Sequence, residues 1–192
     1  MKRLLLALFI LVSLGAVSQE LSITTSIFKV VYSEQLEQPL EVNYIVDCWN
    51  GTHSRKGMDF RKVKHIHTSD AKDYYKNVWD KGHMAPAAAF ACEEEELRAT
   101  FSYLNCALQH EGLNRGPWKY LEAEVRRWAA QYGYVDVKIL VNFGKQIRRV
   151  PTNAAIPESF TKIITFPNGT QRVYVFPNKD VRQYKYSQFE IK

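Results

Sequence analysis

Four side chains in the middle of the chain have types and spacing that could activate a water and hold a metal ion. His83 ends the run DKGH, and Asn105, Asn114 and Glu122 follow it. A neutral imidazole can take a proton from water near neutral pH, because its own pKa lies in that range. Amide and carboxylate oxygens are among the protein ligands of hard cations such as Mg²⁺. Glu122 comes eight residues after Asn114, so a helix would present both on roughly one face.

A helix over residues 114–131 is predicted to carry two of these side chains. Asn114 can cap its first turn, and Pro117 stands in that turn, where a missing N–H costs little. Gly133 can end the helix. The apolar stripe that would face the core consists of Trp118, Leu121, Val125, Trp128 and Ala129.

Strands are predicted on both sides of this helix, without the regular strand–helix alternation of a parallel sheet. The predicted strands cover residues 42–46, 136–143, 160–166 and 173–176. The turn PNGT at residues 167–170 joins the last two and predicts a hairpin. Residues 50–75 are polar and predict a long loop, and the run Glu93–Glu96 predicts the exposed start of a second helix. This mixture points to an α+β fold.

Three runs that contain the four side chains resemble, in their order and spacing, the signature of an enzyme family. They are DKGHMAPA at 80–87, NCALQ at 105–109 and LNRGPWKYLE at 113–122. With a weaker likeness that extends over residues 40–176, they resemble the DNA/RNA non-specific endonucleases. That ββα-metal (His-Me finger) family includes mitochondrial endonuclease G and secreted bacterial nucleases. The resemblance implies a mainly antiparallel sheet flanked by helices, and an enzyme that hydrolyses phosphodiester bonds.

The resemblance also implies a role for the base, the metal ligand and the carboxylate. His83 would be the general base, and Asn114 would hold a single Mg²⁺, with Mn²⁺ as an alternative ion. The ion would neutralise charge on the phosphorane and carry a water that protonates the leaving oxygen. Glu122 would accept hydrogen bonds from metal-bound water, and the products would carry a 5′-phosphate. The simpler interpretations are a helix cap for Asn114 and an exposed helix carboxylate for Glu122.

Five further residues are expected to support this chemistry. Arg126, one helical turn beyond the glutamate, could pair with that carboxylate and with a phosphate oxygen. Lys81 is expected to stabilise the transition state. The resemblance makes Asn105 a residue that orients metal-bound waters. Asp80 is expected to anchor its own loop, and Gly82 to leave room for the phosphate backbone.

The chain departs from the family signature at four places. Lys81 replaces the usual arginine, Leu108 a proline and Ala89 an aspartate, and residues 139–144 lack the usual T-G-P ending. None of these changes removes the base or the metal ligand. Two alternatives to a non-specific endonuclease therefore stay open. One is a module of the same fold that binds nucleic acid without cleaving it, and the other is a phosphodiesterase for another substrate.

Composition excludes a disordered chain, and charge favours an anionic partner. The 192 residues are 46% hydrophobic and carry a net charge of +6. Two basic blocks, residues 51–83 at +4 and 112–150 at +5, flank the segment 84–111 at −4. If the blocks converge, they form one phosphate-binding face, and otherwise they are scattered solvated charge. We expect DNA and RNA as partners through backbone contacts. A homodimer is a further candidate, and no inhibitor protein can be named.

The first 18 residues have the organisation of a secretory signal peptide. Lys2 and Arg3 precede an apolar run that ends at Leu14, and small residues stand before a cleavage point near Ser18. The run is shorter than the roughly 20 residues that a membrane span needs, and an uncleaved anchor is the alternative. Cleavage would lower the net charge from +6 to +4. The prediction is a secreted or periplasmic protein, free of the membrane after cleavage, with residues 19–192 as one domain.

Three cysteines allow one disulfide bond at most within the chain. They are Cys48, Cys92 and Cys106, and export fits a modest disulfide content. Separation along the sequence does not select the pair. The alternative is three buried free thiols.

Overall fold

A seven-stranded antiparallel sheet is the largest element in the computed structural model, which describes residues 20–192. Its strands, numbered in chain order and given in spatial order, are β1 (Glu20–Thr24), β2 (Lys29–Ser33), β3 (Gln38–Val46), β6 (Val135–Asn142), β9 (Ser159–Thr165), β10 (Gln171–Pro177) and β11 (Glu190–Ile191). Two short ladders accompany it, β4 (Trp79–His83) with β5 (Cys106–His110) and β7 (Arg148–Arg149) with β8 (Ala155–Ile156). The predicted signal peptide lies outside the described residues.

The helices are fewer and mostly short. The α-helices are α1 (Glu94–Ala99), α2 (Glu111–Leu113) and α3 (Lys119–Tyr132), with 3₁₀ turns at Ala71–Tyr74, Ala87–Ala89, Tyr103–Asn105 and Tyr186–Phe189. Helix α1 begins directly after Glu93, as the acidic run predicts. No helix within residues 20–192 has both the length and the apolar composition needed to cross a bilayer. The antiparallel sheet and the few helices confirm the predicted α+β fold.

The predicted hairpin is confirmed as β9 and β10. Gly169, with φ +83°, occupies the left-handed conformation that the turn requires. Its N–H donates to the Phe166 carbonyl oxygen at 2.8 Å. The strand predicted at 136–143 is β6, and it buries only alternate residues from Val135 to Val141. The other face of the sheet, which includes Asp136 and Lys138, is open to solvent.

Helix α3 covers the buried face of the sheet. All five residues of the predicted apolar stripe are buried against it. The helix ends where predicted, at Gly133 with φ +89°. It begins five residues later than predicted, because the segment Asn114–Trp118 forms a wide π-type turn that kinks at Gly116 (φ −102°, ψ −124°). Pro117 lacks an N–H and restricts the residue before it, which accounts for the kink.

A long loop, residues 47–78, connects β3 to β4, and its start is tied to the rest of the molecule. A disulfide bond joins Cys48 to Cys92, while Cys106 is free and buried. This pairing excludes the alternative of three free thiols. His53 N donates to the Ala91 carbonyl oxygen at 3.1 Å. A side chain at Gly51 would come within 2.2 Å of the Ala91 carbonyl carbon, so only glycine allows this close approach.

Candidate functional site

A cleft of about 1090 Å³ lies between the start of that loop, the end of β4 and the start of α3. Of the six residues predicted to be catalytic or to bind the metal, five line it, namely Lys81, His83, Asn114, Glu122 and Arg126. These residues come from β4, from the wide turn and from α3. The structure therefore brings together the side chains that the sequence places up to 45 positions apart.

The two basic blocks of the sequence converge on this cleft. Five lysine and arginine side chains line it, against two carboxylates, Asp80 and Glu122. Two of the cations come from the first block and three from the second: Arg55, Lys81, Arg115, Lys119 and Arg126. Positive charge concentrated in one concave surface attracts polyanions. The alternative of scattered solvated charge does not describe these five side chains.

His83, the last residue of β4, sits in an apolar environment at the cleft wall. Its ring centroid lies 4.5 Å from that of Phe60 and 4.8 Å from that of Phe101. The Nε2 atom is buried and has no hydrogen-bond partner within residues 20–192. Burial, with a smaller contribution from the Arg55 charge, lowers the pKa of His83 from 6.5 to about 3. The ring is therefore neutral at physiological pH, and because Nε2 is enclosed, Nδ1 is the atom left to accept a proton. A pKa this low makes the imidazole a weaker base than the near-neutral value expected from the sequence.

Gly82 is required by a neighbouring side chain rather than by the substrate. A Cβ at this position would lie 2.5 Å from both Cβ and Oε1 of Gln109, the residue that fills the space beside it. Gln109 is fully buried, and neither atom of its amide has a partner in the described part of the chain. The expectation that Gly82 leaves room for the phosphate backbone is therefore wrong.

Asn105 shapes the backbone that follows the histidine and does not line the cleft. Its side chain is fully buried. The amide oxygen accepts from Ala85 N at 2.7 Å, and Nδ2 donates to the carbonyl oxygens of Ala85 (2.8 Å) and Thr100 (3.0 Å). Because these bonds occupy the amide, the predicted role in orienting metal-bound waters is wrong. Asn105 positions the chain after His83 instead.

Asp80 connects β4 to the wide turn rather than anchoring its own loop, which corrects that expectation. It accepts from Asn114 Nδ2 at 2.9 Å and from Arg115 Nε and Nη2 at 2.8 and 2.6 Å. The bond from Asn114 fixes which side of the amide faces Asp80, and so leaves Oδ1 for another ligand. No helix-capping bond is made by Asn114, which lies one residue inside the turn. The simple cap interpretation is therefore wrong.

The donor atoms at Asn114 fit a hard, well-hydrated cation. A neutral amide oxygen is a ligand for Mg²⁺, and the Glu122 carboxylate lines the same cleft. Within residues 20–192 no group of three or more His, Cys, Asp or Glu side chains is arranged to hold a metal ion. An ion at Asn114 would therefore take most of its shell from water and from substrate phosphate.

Glu122 is held in a buried cluster of charges, which excludes the interpretation as an exposed helix carboxylate. Its side chain is 16% exposed, and Oε1 lies 4.0 Å from Lys162 Nζ. Burial raises the pKa of Glu122, while the charges of Lys162 and Arg126 oppose that shift. Arg126 Nη1 donates to the main-chain carbonyl oxygen of Glu122 at 3.3 Å. The predicted pairing of Arg126 with the carboxylate is thus a proximity of charge rather than a direct hydrogen bond.

Lys81, at the position of the family's arginine, is paired with the loop. Its Nζ lies 2.7 Å from Asp59 Oδ1 and 5.9 Å from the ring centroids of both Phe60 and Tyr103. The side chain is 24% exposed at the cleft wall. A substrate phosphate would have to compete with Asp59 for this cation.

Two of the other three departures from the family signature, Ala89 and Leu108, are not among the residues that line the cleft. Ala89 is fully buried in the main core, where an aspartate would lack solvent. Leu108 N donates to Gln38 Oε1 at 3.0 Å, a bond that a proline could not make. Both departures are therefore explained by packing.

Two residues of the site were not predicted from the sequence. Arg55, in the long loop, lines the cleft and influences the pKa of both His83 and Glu122. Lys162 lies beneath Glu122 and is fully buried. Its signal was available, because a lysine stands at an inward position of an otherwise alternating strand. Nothing in the local sequence around Arg55 distinguishes it from the other cations of its block.

Comparison with known proteins gives a consistent result. The sequence model of the DNA/RNA non-specific endonuclease family matches residues 7–192. A chain of the crystal structure of the EndoG/EndoGI complex, described as showing the mechanism of EndoG inhibition, is similar at a TM-score of 0.79 and 25% identity. The similarity covers 89% of this chain and 80% of that one.

Curated relatives are similar over part of their length. The chain is 30% identical to human "Endonuclease G, mitochondrial" over 149 residues, 68% of this chain and 50% of that protein. It is 30% identical to "Nuclease 1, mitochondrial" of Schizosaccharomyces pombe over 129 residues, 57% of this chain and 40% of that protein. With "Nuclease" of Syncephalastrum racemosum the identity is 43% over 132 residues, 57% and 41% of the two chains. The chain thus spans half or less of the length of these relatives.

Proposed function

This chain belongs to the DNA/RNA non-specific endonuclease family, and we propose that it is a Mg²⁺-dependent nuclease that cleaves DNA and RNA without regard to sequence. One observation carries the proposal. A histidine that is neutral at physiological pH shares a basic cleft with an asparagine oxygen and a buried carboxylate. Such a set provides a proton acceptor, a cation ligand and an outer carboxylate on one surface.

The cleft supports binding of a nucleic acid through its backbone and through a base. The five cations that line the cleft can contact phosphates, and such contacts are independent of sequence. Trp49 also lines the cleft and is 43% exposed. An exposed indole offers a stacking surface that any of the bases can use. These features favour a polynucleotide over a small phosphate ester.

In the proposed reaction, His83 Nδ1 takes a proton from a water that attacks the phosphorus. The bond from water oxygen to phosphorus forms as the bond to the 3′-oxygen breaks, which leaves a 5′-phosphate and a 3′-hydroxyl. A Mg²⁺ bound at Asn114 would supply charge neutralisation and acid assistance to the leaving oxygen. Arg55 and Arg126 add positive charge on the same wall. Glu122 orients water next to Asn114, and Asp80 fixes the amide of Asn114.

The decisive experiment is cleavage of supercoiled plasmid DNA and of single-stranded RNA by the purified chain with Mg²⁺. H83A should reduce the rate by at least about 100-fold, because general-base catalysis contributes ~10²–10⁴-fold. H67A is the matched control, since the His67 side chain is 68% exposed and does not line the cleft. Equal rates for H83A and the unaltered chain would refute the assignment of the base. Tight binding with no cleavage under Mg²⁺ or Mn²⁺ would replace the proposal by a binding module.

We further propose that the chain is exported after removal of residues 1–18. The basic and apolar pattern of those residues supports this, and so does the disulfide bond, since such bonds persist mainly in oxidising compartments. Four of the similar nucleases are named mitochondrial, so import into an organelle is the outcome to be distinguished. Expression of the full chain in a bacterium, followed by N-terminal sequencing of the periplasmic protein, should give a first residue at Gln19. An intact N-terminus in the cytoplasm would contradict export.

A further inference from the structure

We propose that Lys162 is a positioning residue that holds the Glu122 carboxylate in its charged form and in its place beside the metal site. The inference rests on the proposed nuclease function, because it assigns a purpose to a cation that contacts no substrate. Lys162 is fully buried and is not among the residues that line the cleft.

The position of Lys162 is one that the fold reserves for apolar residues. Strand β9 buries alternate residues, and Lys162 stands between Phe160 and Ile164 in that buried row. Its neighbours across the sheet are Ile139 on β6 and Tyr174 on β10, both fully buried. A lysine in the centre of such a layer is costly unless a partner compensates its charge.

Among the described residues around the Lys162 ammonium, Glu122 carries the negative charge that compensates it. Lys162 Nζ lies 4.0 Å from Glu122 Oε1 and 3.7 Å from the ring centroid of Trp118. Lys162 Nζ has no hydrogen-bond partner within residues 20–192. The indole face of Trp118 attracts the Lys162 ammonium. The positive charge of Arg126, on the same helix as Glu122, repels that ammonium. Lys162 is therefore held between one anion and one aromatic ring.

The arrangement constrains Glu122 in return. A largely buried carboxylate would become protonated or turn toward the cleft without a cation beneath it. The ion pair at 4.0 Å opposes both changes, and the backbone of Lys162 is held in place because strand β9 is paired on both sides. A protonated or displaced Glu122 could no longer orient water beside Asn114. Lys162 thus acts on the reaction through Glu122 alone.

The test is a double-mutant cycle with K162M, E122Q and the double variant K162M/E122Q. Methionine keeps the length of the lysine and fills the apolar layer without a charge. K138M is the matched control, because Lys138 forms an ion pair with Glu41 at 2.9 Å on the solvent-exposed face of the same sheet. Cleavage is measured with Mg²⁺, and thermal unfolding is measured in EDTA, where metal binding contributes nothing.

We expect K162M to lower kcat by at least about tenfold with KM within about twofold, since misplacement of a group near the chemistry acts on the rate. The double variant should have the kcat of E122Q alone. In EDTA each single variant should melt below the unaltered chain, because each leaves one buried charge without its partner. The double variant should melt above K162M. K138M should match the unaltered chain in kcat.

Three results would overturn the inference: K162M with unchanged kcat, losses in kcat that multiply in the double variant, or an E122Q that melts no lower than the unaltered chain. The last measurement decides the matter even if K162M does not fold. An unaltered chain that cleaves neither DNA nor RNA would refute the proposed function instead. An active unaltered chain with an equally active K162M would refute only the role of Lys162.

Discussion

The neutral state of His83 predicts a specific loss of stability in acid. Its pKa is 6.5 in an exposed reference state and about 3 in the fold, chiefly because the ring is buried. Between about pH 3 and pH 6.5, the unfolded chain therefore binds a proton at His83 that the folded chain does not bind. The contribution to stability is fully present above pH 6.5, and it declines as the pH falls toward 3. Substitution by glutamine, which does not titrate, should remove this dependence.

The expected magnitude follows from the pKa difference. Each pH unit below 6.5 should remove about 1.4 kcal/mol of unfolding free energy from the unaltered chain relative to H83Q. Between pH 6.5 and 4.5 the difference between the two proteins should therefore change by roughly 2–3 kcal/mol. Titration of carboxylates also lowers stability in this range, but it affects both proteins and cancels in the difference.

The assay is chemical unfolding in urea at half-unit steps from pH 7 to pH 4.5. The free energy of unfolding is extrapolated to water for the unaltered chain and for H83Q. H65Q serves as the control, because His65 is exposed and forms no ion pair within residues 20–192. Its curve should stay parallel to that of the unaltered chain. Parallel curves for H83Q as well would refute the lowered pKa of His83.

Three further predictions concern the metal ligand, the disulfide bond and the stacking surface. N114A should abolish saturable Mn²⁺ binding in a calorimetric titration, whereas N114D should retain it, because only aspartate still offers an oxygen; equal binding by N114A would exclude this ligand. Replacement of both Cys48 and Cys92 by serine should lower the free energy of unfolding by about 4 kcal/mol, because the bond closes a loop of 44 residues. Unfolding in urea measures this, and an unchanged midpoint would contradict it. W49A should weaken binding of single-stranded oligonucleotides by ~1–3 kcal/mol in a fluorescence anisotropy assay, and W49F should retain most of the affinity; full affinity of W49A would rule out stacking.

Local patterns in the sequence were sufficient to predict several elements of the fold. The stripe from Trp118 to Ala129 repeats with the period of a helix, and the PNGT turn requires a left-handed residue that Gly169 supplies. Both signals depend on neighbours in the chain. The start of α3 was misjudged because Gly116 and Pro117 kink the segment that carries Asn114, although each residue alone is compatible with a first helical turn.

The candidate site was predictable as a set of residues but not as a set of contacts. Asp80 contacts residues 34 and 35 positions away, and the amide of Asn105 reaches back 20 positions to Ala85. Partners at such distances are created by the fold, so the roles assigned to both residues were wrong while their proximity to the site was right. Gly82 was misinterpreted for the same reason, since its neighbour Gln109 becomes adjacent only through the pairing of β4 with β5.

The hydrogen bond from Asn114 Nδ2 to Asp80 ties the cation ligand to the strand that carries the base. His83 is three residues from Asp80 on strand β4. The proton acceptor and the cation ligand Asn114 are therefore connected through this strand and one hydrogen bond. Arg55 and Trp49 belong to a different segment, the loop before β4, which is tied down by Cys48. Exchange of that loop for the corresponding loop of a relative would alter which polynucleotide is gripped, and how tightly, while the reacting groups kept their spacing. Because Arg55 and Phe60 of the same loop act on the His83 ring, such an exchange would change substrate preference and the basicity of the imidazole together.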